Sequence, residues 1–319
     1  MNKIESTREV YGNTLAELGD NNPDIVVIDA DLSVSTQTIR FSKKFPHRFI
    51  NVGCAEQNLI GTASGLALSG KTVFASTYAI FLCRAWEQIR NTIAYDKLNV
   101  KIVVTHAGLS NASDGASHQS LEDIAIMRVI PNMRVIVPSD AIQTREAVCY
   151  EANHKGPAYI RLNREKTPTV FENDYIFNDN AIELCKGSDV AIIATGSMVH
   201  EALKASALLK KAQISASVIE VHTIKPLDTS SILTAAKECG AVLTIEEHSK
   251  IGGLGSAVAE LLCTNYYVPM KILGINDKFG ESGQYLELLE KNQILDKFIV
   301  NNVKNLLAFP FPDPHKKRH

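Results

Sequence analysis

Short, uniformly apolar runs alternate with longer stretches of helical periodicity along most of this chain. The runs predict buried strands, and the stretches between them predict helices. The predicted strands are residues 24–32, 49–52, 100–105, 133–137, 189–195, 216–221 and 241–246. The predicted helices are residues 8–18, 56–68, 84–94, 141–152, 198–209, 230–237 and 254–262. Strands that alternate with helices form parallel sheets, so we expect an α/β fold with two doubly wound domains and mainly parallel sheets.

A polar, aperiodic segment that begins with proline interrupts this pattern at about residues 167–179. We therefore divide the chain into a first domain at residues 1–167, a linker at 168–185, a second domain at 186–310 and a tail at 311–319. The total length of 319 residues is what two domains of ordinary size need. The short basic tail is expected to be a solvated end.

Composition and charge exclude several classes of protein. The net charge of −2 gives no bulk attraction to nucleic acid or to an anionic membrane, so neither is expected as a partner. No apolar stretch approaches the ~20 residues of a membrane span, and the first residues lack the apolar core of a signal peptide. The six cysteines are scattered without a C-x-x-C pair, which favours reduced thiols and a cytoplasmic location.

Three segments hold more polar and aromatic residues than packing requires. CAEQN, at 54–58, follows a predicted strand and begins a helix, where open α/β sheets bind ligands. STYAIFLCRAW, at 76–86, places aromatic residues and an arginine at a strand-to-helix junction. THAGLSNASDGASHQ, at 105–119, is a polar loop whose histidine spacing matches no zinc site. Taken singly, a helix-start carboxylate explains the first segment and core aromatics explain the second without any function.

Together these segments resemble the transketolase family, and the resemblance extends over nearly the whole chain. Its most specific motifs are CAEQN, STYAIF and DGASHQ. Supporting motifs are DADLSVS at 29–35, GPAYIRLNR at 156–164, TIKPLD at 223–228, EEHSKIGGLG at 246–255 and FGESG at 279–283. The resemblance implies the pyrimidine-binding domain followed by the C-terminal domain of a transketolase.

The resemblance also implies thiamine diphosphate as cofactor. In this family a glutamate bonds the aminopyrimidine ring and drives it to the imino form that deprotonates the thiazolium C2. Glu56 falls on that catalytic position, and Tyr78 falls on the aromatic residue that stacks on the pyrimidine, where the family usually has phenylalanine. The remaining residues expected in the cofactor pocket are Phe81, Leu32, Asp31 and Arg84.

Substrate positions carry over in the same way. Arg8, Ser35, His106 and Arg164 fall on residues that hold the sugar phosphate, and a guanidinium group suits that role because it grips phosphate bidentately. Asp114 and His118 fall on residues that contact the sugar hydroxyls and the reacting carbon. We expect His118 to act with Glu56 as a catalytic residue, because a histidine can move protons near neutral pH.

The family's diphosphate-binding signature, Gly-Asp-Gly with a later asparagine that helps to bind Mg²⁺, is missing from the chain. Too few residues precede Arg8 to hold that domain. The resemblance therefore implies the C-terminal half of a split transketolase, with no metal ligands of its own. A separate N-terminal subunit would bind the diphosphate and Mg²⁺. Two copies of each half would form a heterotetramer, in which this chain self-associates through a two-fold interface.

The activity that the resemblance implies is transfer of a two-carbon ketol unit between sugar phosphates, a transferase reaction typical of pentose phosphate metabolism. Three alternatives remain open at this point: the β subunit of a thiamine-dependent 2-oxoacid dehydrogenase, a half of a deoxyxylulose-phosphate synthase, and a non-catalytic regulatory homologue that kept the fold. No catalytic residue is assigned beyond about residue 182, so the second domain is expected to support subunit packing, and the region of His248 and residues 252–255 is expected to be a loop.

Overall fold

A computed structural model of the chain describes residues 3–309, so the predicted tail at 311–319 lies outside the described residues. The strands are β1 (Ile4–Glu5), β2 (Ile25–Asp29), β3 (Phe49–Asn51), β4 (Thr72–Tyr78), β5 (Val100–Thr105), β6 (Arg134–Ile136), β7 (Ala158–Arg161), β8 (Thr167–Pro168), β9 (Ile182–Cys185), β10 (Val190–Ala194), β11 (Ala216–Glu220), β12 (Thr223–Lys225), β13 (Val242–Ser249) and β14 (Met270–Ile275).

The α-helices are α1 (Thr7–Asn21), α2 (Ser33–Thr36), α3 (Ile39–Lys44), α4 (Glu56–Leu68), α5 (Ala79–Leu82), α6 (Trp86–Gln88), α7 (Asp123–Arg128), α8 (Ala141–Asn153), α9 (Met198–Lys211), α10 (Thr229–Cys239), α11 (Leu254–Asn265), α12 (Tyr285–Lys291) and α13 (Asp296–Ala308). Short 3-10 helices lie at Pro46–Arg48, Cys83–Ala85, Gly108–Ser110 and Ala112–Asp114, and a π-helix lies at Ile89–Ala94.

The first sheet has seven strands in the order β12-β6-β7-β5-β4-β2-β3. All neighbouring strands in it are parallel except β12, which pairs antiparallel with β6. Every residue of β2 and β5 is buried, because helices cover both faces of a doubly wound sheet. The valine and isoleucine content of these strands suits such a setting, since β-branched side chains pack well on a pleated surface.

The second sheet has five strands in the order β14-β13-β10-β11-β9. Strands β10, β11, β13 and β14 are parallel, and β9 closes one edge in the antiparallel direction. Strand β9 comes from residues 182–185, which we assigned to the linker on the sequence alone. The two sheets confirm the predicted α/β fold with mainly parallel strands.

The predicted helix at 84–94 is wrong as one regular helix. Arg84 lies in a 3-10 turn, α6 spans only Trp86–Gln88, and the chain continues as the π-helix Ile89–Ala94. The wider π turn lets Ile89, Ile93 and Ala94 all reach the core. Apolar periodicity indicated a helix here but could not distinguish these three windings.

A buried apolar cluster extends through both halves of the chain. Val135 of the first sheet belongs to the same buried cluster as Ile193 and Ile224 of the second half. Lys225 adds polar contacts, since its Nζ donates to the carbonyl oxygens of Arg128 at 2.9 Å and Ile130 at 2.5 Å. Loops that face each other across this boundary are therefore held in a fixed arrangement. Within residues 3–309, no helix combines the length and apolar character needed to cross a membrane.

Candidate functional site

The residues expected in the site lie at or just after the ends of five neighbouring strands, at one edge of the first sheet. Because β7, β5, β4, β2 and β3 are parallel neighbours, their carboxyl ends lie side by side. The residues at these ends are Arg164 after β7, His106 after β5, Tyr78 in β4, Asp31 and Leu32 after β2, and Glu56 after β3. This edge is where open α/β sheets bind ligands.

Aromatic rings form a continuous wall at the end of β4. The ring of Tyr78 stacks on that of His106, with centroids 3.8 Å apart, and on that of Phe81, with centroids 5.4 Å apart. The imidazole of His118 meets Phe81 edge-on at 5.3 Å. The wall therefore combines residues from different motifs. Some of them were predicted to bind the cofactor and others the substrate.

His106 is buried and uncharged at neutral pH. Its Nδ1 lies 2.8 Å from the Thr105 hydroxyl, and its backbone adopts a positive φ of 60°. Burial, and to a smaller extent the nearby positive charges of Arg8 and Arg164, together lower its pKa to about 3. A neutral imidazole can both donate and accept a hydrogen bond, so His106 is suited to orienting a ligand rather than to carrying charge.

Two guanidinium groups flank His106. Nη1 of Arg8, from the first turn of α1, donates to the Ser35 carbonyl oxygen at 2.6 Å. Nη1 of Arg164 donates to Oδ1 of Asn111 at 2.8 Å. Partial burial lowers the pKa of Arg8, yet an arginine side chain stays protonated in proteins. Neither guanidinium group forms an ion pair within residues 3–309, so both can bind an anionic group of a ligand.

Glu56 begins α4 and is 9% exposed. Its carboxylate forms no hydrogen bond to any of residues 3–309 and faces a cleft of about 410 Å³ that Cys54, Gln57 and Arg84 also line. A carboxylate that lines a cleft without an internal partner is available to a ligand that brings its own donor. Arg84 is exposed and lies on the same cleft.

The turn that carries Asp31 and Leu32 is held by the buried carboxylate of Asp29. That carboxylate accepts hydrogen bonds from the Leu32 amide at 2.6 Å and from the hydroxyls of Thr36 at 2.7 Å and Thr38 at 2.9 Å. The exposed Asp31, at φ 64°, accepts from Nδ2 of Asn51 at 2.9 Å. This bond joins the ends of β2 and β3, so the Asp31 turn and the approach to Glu56 are fixed together.

The loop with Asp114 and His118 rests on the second domain. Gln119 donates to the carbonyl of Glu281 at 3.0 Å, and a Cβ on Gly115, at φ 76°, would come within 2.5 Å of the Ser282 hydroxyl. The FGESG motif therefore supports the DGASHQ motif. The exposed Asp114 accepts a side-chain hydrogen bond from Ser113 and, in the described part of the chain, forms none with an expected site residue.

The expected residues thus fall into two neighbouring groups. The first surrounds the aromatic wall and consists of Arg8, Ser35, Tyr78, Phe81, His106, His118 and Arg164. The second surrounds the cleft at the ends of β2 and β3 and consists of Asp31, Leu32, Glu56 and Arg84. Asp114 lies beside the first group on the loop that carries His118.

Sequence reasoning did not single out the residues that hold this site in place. Asn111 orients Arg164, Asn51 joins two strand ends, and the buried Glu247 bonds the loop after His106. The expectation of a loop at His248 was wrong: His248 lies buried in β13, and α11 begins at Leu254. The EEHSKIGGLG motif was a signal for Glu247, but a motif does not say which domain a side chain faces.

Comparisons with known proteins identify the family. The pyrimidine-binding domain of transketolase matches residues 5–169, and the transketolase C-terminal domain matches residues 179–297. A putative transketolase C-terminal section from Methanocaldococcus jannaschii is 52% identical over 292 residues, covering 89% of this chain and 90% of that protein.

Two further proteins of similar length agree. A 6-deoxy-6-sulfo-D-fructose transketolase subunit, SqwH, from Clostridium sp. (strain MSTE9) is 43% identical over 295 residues, covering 92% of each protein. A solved structure described as a split gene transketolase, inactive beta4 tetramer, is 50% identical, with a TM-score of 0.89 over 95% of this chain and 98% of that one. This chain belongs to the transketolase family and corresponds to its C-terminal section, with the pyrimidine-binding and C-terminal domains.

Proposed function

We propose that this chain is the C-terminal subunit of a split, thiamine diphosphate-dependent transketolase. Together with a separate diphosphate-binding subunit, it moves a two-carbon ketol unit between sugar phosphates. One observation carries the proposal: a single sheet edge combines the unpartnered carboxylate of Glu56, at a cleft, with an aromatic wall flanked by Arg8 and Arg164. Two guanidinium groups beside His106 suit a doubly charged phosphate better than the single carboxylate of a small 2-oxoacid, so the site favours a sugar phosphate.

The pyrimidine end of the cofactor fits the residues at this edge. Glu56 would share a proton with a ring nitrogen, and the rings of Tyr78 and Phe81 offer an apolar surface for stacking. Leu32, Asp31 and Arg84 complete the pocket in this proposal. When bound, thiamine diphosphate supplies the carbon nucleophile that a carbon–carbon bond cleavage next to a carbonyl group requires.

The other end of the cofactor belongs to the partner in this proposal. The chain has no Gly-Asp-Gly triplet. Among residues 3–309, no three histidine, cysteine, aspartate or glutamate side chains cluster closely enough to hold a metal ion. We therefore assign the diphosphate group and Mg²⁺ to an N-terminal subunit.

The substrate end is assigned to the cations around His106. Arg8 and Arg164 would bind the anionic end of the sugar, with Ser35 and His106 adding hydrogen bonds. Asp114 and His118 would face the sugar hydroxyls, and His118 would move the proton at the reacting carbon. The name of one relative includes a sulfonated sugar, which is also anionic at the end remote from the carbonyl. We propose phosphate as the anionic group here.

The assembly follows from the division of the site. One relative is described as an inactive tetramer of β subunits. We propose that this chain likewise self-associates through a two-fold interface, is inactive alone and joins its partner as a heterotetramer. The proposal places the enzyme in the cytoplasm, where thiols such as those of its cysteines stay reduced.

The first test is to isolate this chain from its native cell and to identify by mass spectrometry what co-purifies. We expect a near-stoichiometric partner that carries Gly-Asp-Gly and a later asparagine. The reconstituted complex should then transfer a ketol unit from xylulose 5-phosphate to ribose 5-phosphate when thiamine diphosphate and Mg²⁺ are added. Isolation of this chain only with itself, and full activity without a partner, would each contradict the split-site assignment.

The second test is Glu56→Gln in the reconstituted complex. Loss of the proton-sharing carboxylate is expected to reduce kcat by about 10²–10⁴-fold, the range for a positioned acid–base group. Size-exclusion chromatography should show the assembly intact. The matched control is Glu87→Gln, an exposed carboxylate bonded to Asn91, which should leave kcat unchanged. Wild-type kcat in the Glu56→Gln variant would refute the role of Glu56.

A further inference from the structure

A carboxylate of the second domain is hydrogen-bonded to the site in the first. Glu247 lies in β13 and is 2% exposed. Its Oε1 accepts the backbone N–H of Leu109 at 2.7 Å. Its Oε2 accepts the hydroxyls of Ser197 at 2.7 Å and Tyr285 at 2.6 Å. One side chain thus connects the starts of α9 and α12 to the loop that follows β5.

That loop carries the first of the expected ligand-binding groups. Leu109 lies in the 3-10 turn Gly108–Ser110, which begins two residues after His106. The turn is closed by the Ser110 hydroxyl, which donates to the Ala107 carbonyl at 2.5 Å. Holding the Leu109 amide therefore limits where the imidazole of His106 can lie.

The same turn also holds the second group. The amide of Arg164 donates to the Ser110 hydroxyl at 3.1 Å. Nδ2 of the preceding residue, Asn163, lies 3.5 Å from Oε2 of Glu247. Displacement of this turn would therefore move both His106 and Arg164. Binding of an anion by two N–H groups of one guanidinium requires an accurately placed side chain, so even a small shift of the Arg164 backbone would weaken it.

The fit around Glu247 leaves little freedom. Gly108 has φ 66°, and a Cβ there would lie 2.5 Å from Oε1 of Glu247. The backbone carbonyl of Glu247 accepts from Nη2 of Arg161 at 3.0 Å, and Nε of Arg161 pairs with the buried Asp123 at 2.8 Å. Since Arg161 ends β7, the strand that leads to Arg164, both the side chain and the backbone of Glu247 are tied to the site.

We propose that Glu247 is a positioning residue through which the second domain sets the affinity of the site for the anionic end of the sugar. The carboxylate itself is buried and acts through the Leu109 turn and Asn163. This inference rests on the proposed function. It gives the second domain a part in substrate binding as well as in packing.

The neighbouring Glu246 provides a matched control. It lies in the same strand and is fully buried, and its carboxylate accepts the backbone N–H groups of Leu254 and Gly255 at 2.8 Å each. Those groups begin α11 and belong to the second domain. Glu246→Gln therefore disturbs an equally buried carboxylate of the same strand without touching the turn at residues 108–110.

The test compares wild type, Glu247→Gln and Glu246→Gln, each assembled with the N-terminal subunit. Glu247→Gln is expected to raise KM for a phosphorylated donor about tenfold, with kcat changed much less. The reason is that weaker hydrogen bonds from residue 247 to Leu109, Ser197 and Tyr285 would let the phosphate-binding groups move. KM for an unphosphorylated donor should not change. Glu246→Gln should leave both KM values at the wild-type level. Equal KM increases for both donors, or equal effects of the two variants, would overturn the proposal.

Amide hydrogen exchange provides a readout that does not depend on activity. Glu247→Gln should increase deuterium uptake in the segment 106–112, whereas Glu246→Gln should increase it near residues 254–257 and leave 106–112 unchanged. Unchanged uptake at 106–112 in Glu247→Gln would overturn the positioning role. If Glu247→Gln does not assemble, Tyr285→Phe removes one donor to the same carboxylate and should show the same pattern with a smaller change. A wild-type complex without ketol transfer would refute the proposed function, while the exchange data would still test Glu247.

Discussion

Burial separates the polar side chains of this site into those that keep a charge and one that loses it. His106 is almost fully buried beside two cations, which lowers its pKa to about 3 and leaves it neutral. Arg8 and Arg164 are only partly buried and keep their charge, because guanidinium groups are not deprotonated in proteins. The sequence supplied all three residue types, but which of them carries a charge depends on how the folded chain packs around it.

At the residue scale, Arg164→Ala is expected to raise KM for a phosphorylated donor by about 10–100-fold in the reconstituted complex. A hydrogen bond to a charged group contributes about 1.5–3 kcal/mol, and 1.4 kcal/mol corresponds to tenfold in affinity. KM for an unphosphorylated donor should stay at the wild-type value, as measured by steady-state kinetics.

The control for this experiment is Arg145→Ala. Arg145 is exposed and pairs with Glu17 on the surface, away from the sheet edge, so neither KM should change. A similar rise in KM for both donors in Arg164→Ala would show that Arg164 does not recognise the phosphate.

At the scale of elements, the close approach of α1 to the turn after α2 places two site residues in contact. Gly12 of α1 packs against Gln37, and a Cβ at position 12 would overlap the Gln37 carbonyl oxygen. Glycine weakens a helix by about 1 kcal/mol relative to alanine, so a packing reason is expected for it here. The approach lets Arg8 of α1 donate to the carbonyl of Ser35 in α2.

Gly12→Ala is expected to destabilise the protein by about 1–3 kcal/mol, the usual cost of overpacking, despite the gain in helix propensity. It should also raise KM for a phosphorylated donor, because the Arg8–Ser35 contact is displaced. Urea unfolding and steady-state kinetics measure the two effects. Glu17→Ala, on the exposed face of the same helix, should change the free energy of unfolding by less than about 1 kcal/mol. A Gly12→Ala protein of wild-type stability would refute the packing argument.

At the scale of the whole molecule, the boundary between the domains contains a charged pair. His222 is fully buried, with Nδ1 2.7 Å from Oε2 of Glu220 and Nε2 2.6 Å from the Asn178 carbonyl. Both ring nitrogens of His222 lie within hydrogen-bond distance of acceptor oxygens, and only the protonated imidazolium can donate from both. Glu220 also accepts from the Ser139 hydroxyl of the first domain at 2.9 Å. Burial lowers the pKa of His222, but Glu220 and Asn178 more than offset this and raise it above its usual value.

Stability should therefore depend on pH through His222. A histidine whose folded pKa is raised stabilises the folded state fully below its unfolded pKa of about 6.5, and this contribution is lost as the pH rises through the folded pKa. We expect the free energy of unfolding of the wild type to fall above pH 6.5 more steeply than that of His222→Gln. Denaturant unfolding from pH 6 to 9 provides the measurement.

The difference between the two proteins isolates His222, because groups such as the buried Lys101, whose pKa is lowered to about 8, titrate in both. His47→Gln, at an exposed position, should follow the wild-type curve. Parallel curves for the wild type and His222→Gln would refute the pairing of His222 with Glu220.

The sequence by itself determined the local elements and the positions of the chemistry. A buried apolar run predicted β5 at 100–105, and helical periodicity predicted α4 at 56–68. Both predictions hold because the spacing of apolar residues along a segment reflects which of its faces are buried. Motifs at the ends of predicted strands also indicated where Glu56, Tyr78 and His106 would lie, since parallel strands present their carboxyl ends at one edge.

Only the tertiary structure decided which distant segments meet. Strand β12, at Thr223–Lys225, joins the sheet of the first domain, and Glu247 bonds the amide of Leu109 across the domain boundary. Neither contact has a local signature, because periodicity describes a residue's immediate neighbours and not its partners more than 80 residues away. The ionisation of His106 was equally hidden from the sequence, because its pKa depends on burial and on cations that only folding brings to it.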